Sequence, residues 1–311
     1  MHLFKLFWSK KRRKQASLAL LAIIVADVIW GTNVAANKVA LDSIPPYIYA
    51  FVKLSIGAVA LSLISFRSWV RMPLKDLVRM LFSSFIGITL FIVLLYNGQA
   101  LTTASIAALI LALDPLILYF FSVKLLHEKF NANLLIGSFV ALAGVLMIIG
   151  YSQEGGGSLF GTLLIVVGVF LDSLGVVTKK QLIDKFPPGQ IASLNFLLAV
   201  PFLGFLALFE VSDFEVTDVT TASWVALGYS TIMSAIIGFT LFYWGLRYVA
   251  VERASLFHYL IPTFGVVTSV LVLGETLTLN LVIGGALVFA GLALSEIKIP
   301  HHLHFLQKHR H

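Results

Sequence analysis

Long apolar runs separated by short polar breaks organise this chain. Ten of them, at roughly 18–41, 46–66, 77–98, 102–124, 132–151, 159–181, 188–209, 222–246, 253–273 and 279–297, are predominantly apolar over a length near 20 residues. As α-helices rising about 1.5 Å per residue, each crosses the ~30 Å hydrocarbon layer of a bilayer. The strands of a transmembrane barrel would show segments of about ten residues with alternating polarity. No such alternation is present. The pattern predicts an all-α integral membrane protein of ten transmembrane helices.

The breaks between runs also repeat. Residues 147 apart match at Tyr96/Tyr243, Gly98/Gly245, Pro115/Pro262, Glu128/Glu275, Asn133/Asn280, Gly137/Gly284 and Gly144/Gly291. Nearer the start of each copy the offset is 142, pairing Lys38 with Lys180, Asp42 with Asp184 and Pro45-Pro46 with Pro187-Pro188. The longer acidic loop after the seventh run absorbs the difference. The chain therefore divides into a basic tail (1–17), a first repeat (18–151), a glycine-rich linker (152–158), a second repeat (159–297) and a histidine-rich tail (298–311). Five spans per copy is an odd number, so the second copy enters the membrane from the opposite side. Inverted repeats of this kind are associated with secondary transporters, whose sites lie near the midplane where the repeats meet.

Composition agrees: 59% of residues are hydrophobic, 12% are charged and mean hydropathy is +0.95, against about 25% charged in soluble domains. An N-terminus in the cytoplasm puts 20 of the 22 Lys and Arg residues on the inner side, leaving Lys38 and Lys53 on the other half. Glu210, Asp213, Glu215 and Asp218 fall in an outer loop, and the positive-inside rule selects this orientation. The net charge of +7 is thus a topology signal and not the footprint of a nucleic-acid partner. Lys10 to Lys14 resemble the start of a secretory signal, but the following run is too long and has no small-residue cleavage site. Leu3, Phe4, Leu6, Phe7 and Trp8 ahead of it predict a short interfacial helix on anionic lipid. The chain contains no cysteine. His301, His302, His304, His309 and His311, interspersed with Lys308 and Arg310, read as a basic cytoplasmic tail in preference to a metal tract.

Several motifs resemble those of a known family. Trp30-Gly31-Thr32-Asn33 running to Lys38 and a proline-led second span carrying Lys53 look like the opening of an EamA domain. So do a small-residue fourth span ending in Asp114-Pro115-Leu116, the His127-Glu128 and Gly274-Glu275 turns, and fifth spans with Gly137/Gly144 and Gly284/Gly291. The chain resembles the ten-span, two-repeat EamA members of the drug/metabolite transporter superfamily. That resemblance implies spans one to four and six to nine around a central cavity, with spans five and ten at the periphery. Asp172-Ser173 replaces the Trp-Gly signature in the second copy, and Lys53 stands where the family usually has arginine.

Ionisable groups inside a membrane are expensive and face a cavity or a partner. Asp27, Lys53, Asp114 and Asp172 are the candidates. At about 1.5 Å per residue the three aspartates lie roughly 18–21 Å below the outer span ends, and Lys53 only ~10 Å, level with Asn33 and Asn37. This depth argues against a direct Asp27–Lys53 pair. Three carboxylates at one depth repel when all are ionised, and a group titrating near neutrality suits a proton-coupled exporter. The alternative for each is a hydrogen bond to a neighbouring helix. Pro115 frees a backbone carbonyl beside Asp114, and the repeat counterpart of Asp114 is Ile261, so the scaffold alone does not demand the acid.

Helical geometry places Asp27, Trp30, Gly31, Val34 and Lys38 on one face of span one, with Asn37 on its flank. Gly168, Asp172, Gly175 and Lys179 form a stripe on span six. His258, one turn from Pro262, serves either a proton relay or a structural hydrogen bond. Asn195 aligns with Lys53 across the repeat and is preferred to Asn97 and Gln99. Tyr96, Tyr243 and Trp244 are candidates for aromatic walls, although Tyr and Trp near span ends mostly serve as interfacial anchors, and the glycine seams read as helix packing.

No His-Glu-x-x-His, Gly-x-Ser-x-Gly or Walker A sequence is present. An enzyme is therefore disfavoured, no cofactor or metal is expected, and a gradient is the expected energy source. The expectation is a secondary carrier of the inner membrane with both termini cytoplasmic, a monomer or weak dimer. It exports small amino-acid-like or cationic solutes by alternating access, with proton coupling. A gradient-independent facilitator or exchanger, and an importer of the same fold, remain alternatives. The excess of intramembrane carboxylates over lysine is the sole ground for the cationic preference.

Overall fold

The computed structural model describes residues 2–126, 136–137, 139–144, 146–147, 158–249, 251, 254 and 256–296, by backbone alone at 2–14, 256, 259, 292, 295 and 296. Every regular element among them is helical. The helices are α1 (His2–Leu41), α2 (Pro46–Ser65), α3 (Leu74–Leu101), α4 (Ala104–Leu125), the helical residues between 136 and 147 (α5), α6 (Leu159–Lys185), α7 (Pro188–Ala207), α8 (Thr221–Leu246), α9 (Leu260–Leu273) and α10 (Leu279–Glu296). Seven are long and apolar enough to cross a membrane, and α9 and α10 are shorter apolar helices. Glu128, Asn133, residues 152–157 of the linker and the tail at 298–311 lie outside the described residues.

Local chemistry sets the helix ends. Pro46 and Pro188 open α2 and α7 at the first helical position, where the missing N–H costs nothing. The side chains of Thr103, Ser158 and Thr220 accept backbone N–H bonds at the starts of α4, α6 and α8, as N-caps do. Two glutamates reach in from other segments. Glu210 accepts from Tyr47 N and Ile48 N at the start of α2, and Glu275 accepts from Ala104 N (2.8 Å) and Ser105 N (2.9 Å) at the start of α4. Partial burial holds the Glu210 carboxyl above the usual carboxylate range, while the two backbone donors pull it the other way. Gly274 takes the left-handed conformation (φ 66°) after α9 and turns the chain toward Glu275.

Irregular backbone occurs at matching places in the two copies. Residues 85–90 of α3 and 230–238 of α8 are π-helical. The helix of α4 is interrupted at Ala112–Leu113, just before Pro115, and α9 is preceded by a tight turn, Leu256–Tyr259, just before Pro262. Each proline lacks the N–H that would bond the carbonyl four residues back, at Leu111 and His258, so the regular ladder is interrupted there. Around the start of the ninth run, expected from 253, Val251 and Ala254 are helical, the tight turn at Leu256–Tyr259 follows, and the long α-helix starts at Leu260.

The copies interlock instead of folding side by side. The α2 helix packs on α7, α3 on α6, α1 on both α8 and α9, and α4 on both α6 and α9. Gly144 of α5 faces Gly284 and Val288, and Gly291 of α10 faces Gly137 and Ala141, so these two cross at their glycines. Among the described residues the closest crossing joins α3 to α6. A Cβ on Gly87 would sit 2.6 Å from Gly175 Cα, a separation that only two glycines permit. Lys38 Nζ donates to the carbonyls of Gln99 (3.0 Å) and Ala100 at the end of α3. Its counterpart Lys180 donates to the Leu246 carbonyl at the end of α8, at 2.8 Å. Both lysines thus neutralise helix C-termini. Large apolar side chains such as Ile56, Leu63, Ile64, Phe205 and Phe209 cover the outer surface, as lipid contact requires.

Candidate functional site

A central cavity of about 120 Å³ lies where the interlocked helices converge. Its apolar walls include Phe91, Ile92, Leu95, Val169, Phe196, Phe239 and Phe242, and its polar lining includes Trp30, Asn33, Asn37, Lys53, Gln99, Asp114, Asp172, Tyr243 and His258. Seven of the sequence candidates, Trp30, Asn33, Asn37, Lys53, Asp114, Asp172 and His258, therefore border one space. Asp27 and Asn195 do not border it, but each bonds a residue that does.

The acidic end is built at the two helix interruptions. His258, in the turn before α9, places Nδ1 2.7 Å from Asp27 Oδ1 and Nε2 4.0 Å from Asp114 Oδ2. Asp114, at the restart of α4, accepts from the Ser173 hydroxyl at 2.5 Å. One imidazole thus connects two carboxylates from α1 and α4, while Ser173 ties the second to α6. Asp27 Oδ2 is buried and bonds no described residue, which leaves a carboxylate oxygen open to a proton. Asp172 lies within electrostatic range of Asp114, His258 and Lys179. Asp114 lies within electrostatic range of both other aspartates, and the His258 ring stands between Asp27 and Asp114.

Trp30 packs edge-on against Phe239 and Phe242 and its indole N–H donates to the Ser234 carbonyl at 3.4 Å. Ser234 sits in the π-helical stretch of α8, where a widened turn leaves carbonyls available. The Asp172-Ser173 pair that replaces Trp-Gly in the second copy does different work, with Ser173 holding Asp114.

Two polar clusters flank this acidic group. In the first, Lys53 Nζ donates to the Tyr96 hydroxyl at 2.9 Å and lies 3.5 Å from Asn37 Oδ1. Asn37 also receives Asn33 and the Tyr49 hydroxyl, and donates to Gln99. Lys53 makes no pair with Asp27, as its depth requires. In the second, Lys179 Nζ donates to Asn195 Oδ1 at 2.6 Å and to the Tyr243 hydroxyl at 3.3 Å, and Asn195 Nδ2 donates to the same hydroxyl at 2.7 Å.

Three expectations change here. Lys179 is not an inner-surface cation; it is 1% exposed, because α6 continues to Lys185 and buries it a turn and a half from its end. Tyr96 and Tyr243 are not interfacial anchors; both are buried and bond the two lysines. Gln99 borders the cavity and bonds Asn37, whereas Asn195, preferred to it on alignment, stands one residue back. The 142-residue offset aligns Lys179 with Asn37, and that register is the signal by which the sequence points to Lys179.

Residues 17–150 and 159–296 each match the EamA-like transporter family. Among curated proteins the chain is 28% identical over 289 residues to "Uncharacterized transporter YetK" of Bacillus subtilis, covering 90% of this chain and 87% of that one. It is 28% identical to a "Probable amino-acid metabolite efflux pump" of Salmonella typhimurium (91% and 95% covered). It is 27% identical to a "Probable terminal-alkyne amino-acid exporter" of Streptantibioticus cattleyicolor (89% and 93% covered). A solved structure described as "Crystal structure of protein" superposes with a TM-score of 0.66 at 19% identity, covering 90% of this chain and 96% of that one, and so shares its fold.

Proposed function

Because this chain belongs to the EamA-like transporter family, we propose that it is a proton-coupled secondary carrier exporting small amino-acid-like metabolites by alternating access. The single observation that carries the coupling is the bridge from Asp27 through His258 to Asp114 at the edge of the cavity. These groups meet where both copies interrupt their helices, the usual setting of a carrier's binding and coupling site. A proton taken up by the bridge weakens the repulsion between two carboxylates carried on different helices. Protonation is thereby linked to the relative position of α1, α4 and α9.

The helix pairings favour two inverted five-span repeats at 18–151 and 159–297, since each contact between copies has a counterpart five helices on. The charge inventory favours a zwitterion over a simple cation. With Lys179 inside, three carboxylates face two lysines and a histidine, and the ground for a cationic solute falls away. The names of the relatives from Salmonella and Streptantibioticus point the same way. The remaining candidates act as walls and donors: Trp30 and Asn33 on α1, Asn37 with Lys53, Asp172 and Asn195. We read the chain as lying in the inner membrane with both termini cytoplasmic, because its Lys and Arg residues still gather on one side.

Counterflow of labelled amino acids into proteoliposomes, with and without an imposed pH gradient, tests this. Wild type is expected to accumulate solute when the gradient is present, and Asp114→Asn to exchange solute without responding to the gradient. Accumulation that ignores the gradient, or that Asp114→Asn leaves intact, rules out coupling through this bridge.

A further inference from the structure

The two lysine clusters are copies of each other with the cation moved. At the repeat offsets, Asn37, Lys53 and Tyr96 correspond to Lys179, Asn195 and Tyr243. In the first copy α1 carries the amide and α2 the ammonium; in the second α6 carries the ammonium and α7 the amide. Each cluster nevertheless joins its ammonium to one amide oxygen and one phenol hydroxyl, and in the first a second phenol, Tyr49, also bonds the amide oxygen. Neither lysine is ion-paired among the described residues, although both are buried, at 3% and 1% exposure. A buried ammonium that makes no ion pair is unfavourable. Asp172 lies within electrostatic range of Lys179 without pairing with it, and an incoming carboxylate would pair with either lysine directly.

The clusters differ in access. Asn37, Lys53 and Tyr96 all border the cavity, whereas of the second cluster only Tyr243 does. Lys179 and Asn195 lie behind its hydroxyl. Each cluster is also held by the opposite copy: Ser230, from the π-helical part of α8, bonds Asn37 and Tyr49, and Ser84, beside the π-helical part of α3, bonds Asn195 at 2.9 Å. A movement of one copy against the other therefore changes what covers each lysine.

We propose that Lys179, with Asn195 and Tyr243, is a second subsite for the carboxylate of the transported solute, equivalent to Lys53 with Asn37 and Tyr96. The two reach the cavity in turn, Lys53 in the arrangement seen here and Lys179 when the carrier faces the cytoplasm. Asp172, within electrostatic range of Lys179 along α6, offers the ammonium end of the same zwitterion an acceptor. The inference rests on the amino-acid carrier reading above.

The test uses L-leucine, whose side chain suits the apolar walls, and L-leucinamide, in which a neutral carboxamide replaces the carboxylate. Half-saturation is measured from each face of oriented proteoliposomes for wild type, Lys53→Met, Lys179→Met and the double variant Lys179→Asn/Asn195→Lys. Lys179→Met is expected to raise the cytoplasmic half-saturation for leucine roughly tenfold, the size of one lost charge-assisted contact, with a smaller change at the outer face. Lys53→Met should do the reverse. The preference for leucine over leucinamide should fall in both. The double variant restores the first copy's arrangement and should recover the cytoplasmic value, which also shows that the protein folds. If wild type exchanges leucine and Lys179→Met leaves both faces and the leucinamide discrimination unchanged, the second subsite does not exist. If wild type exchanges no amino acid at all, the carrier reading fails first and the subsite with it.

Discussion

Asp114 owes its position to one neighbour in sequence and its chemistry to two in space. Pro115 interrupts α4 and turns the aspartate out at the cavity, but only the fold brings His258 and Ser173 to its two oxygens. Glu275 is a contrasting acid of purely structural use, since both its oxygens cap the start of α4. Glu275→Ala should lower stability by about 1 kcal/mol, the usual cost of a lost cap, read as an earlier thermal unfolding midpoint in detergent. Glu275→Gln keeps one acceptor and should lose less. His258→Phe should keep the ring's contacts with Trp30 and Phe242 while removing the bridge. The expected result is a folded protein whose solute exchange no longer responds to pH, and a fully retained gradient response would refute the bridge.

Helices here are positioned by their small residues and their irregular turns. The α3/α6 crossing at Gly87 and Gly175 leaves no room for a methyl group on either side. Gly87→Ala should therefore push the helices apart at a cost of about 1–3 kcal/mol, typical of overpacking. Gly228 of α8 has open space where its Cβ would lie, and Gly228→Ala should be neutral or stabilising by up to ~1 kcal/mol from helix propensity. Thermal unfolding of the two variants side by side checks the contrast. Glycine spacing made such seams legible in the sequence, because close packing demands a residue type. The π-helical stretches were not legible: nothing in residues 85–90 or 230–238 marks a widened turn, which arises from the packing around it.

Over the whole molecule, orientation can be tested directly because the chain has no cysteine of its own. A single Ser212→Cys in the exposed acidic loop should be labelled by an impermeant maleimide in intact cells, and Lys75→Cys only after the membrane is opened. The opposite pattern would invert the orientation proposed here. The apolar runs, the duplication, the proline breaks and the membrane setting were all determined by the sequence alone, because helix length, hydropathy and repeat offset are one-dimensional properties. Most of the site was legible in the same way, since an ionisable residue in an apolar run is too costly to leave facing lipid and must meet a cavity or a partner. Only the tertiary structure decided the partners: Asp27 with His258, Lys53 with Tyr96, and Lys179 as an interior residue with Asn195 and Tyr243. Asp27 with His258 joins the two copies, while the lysine pairings join different helices within one copy. Their distances follow from how the helices pack, which no local pattern encodes.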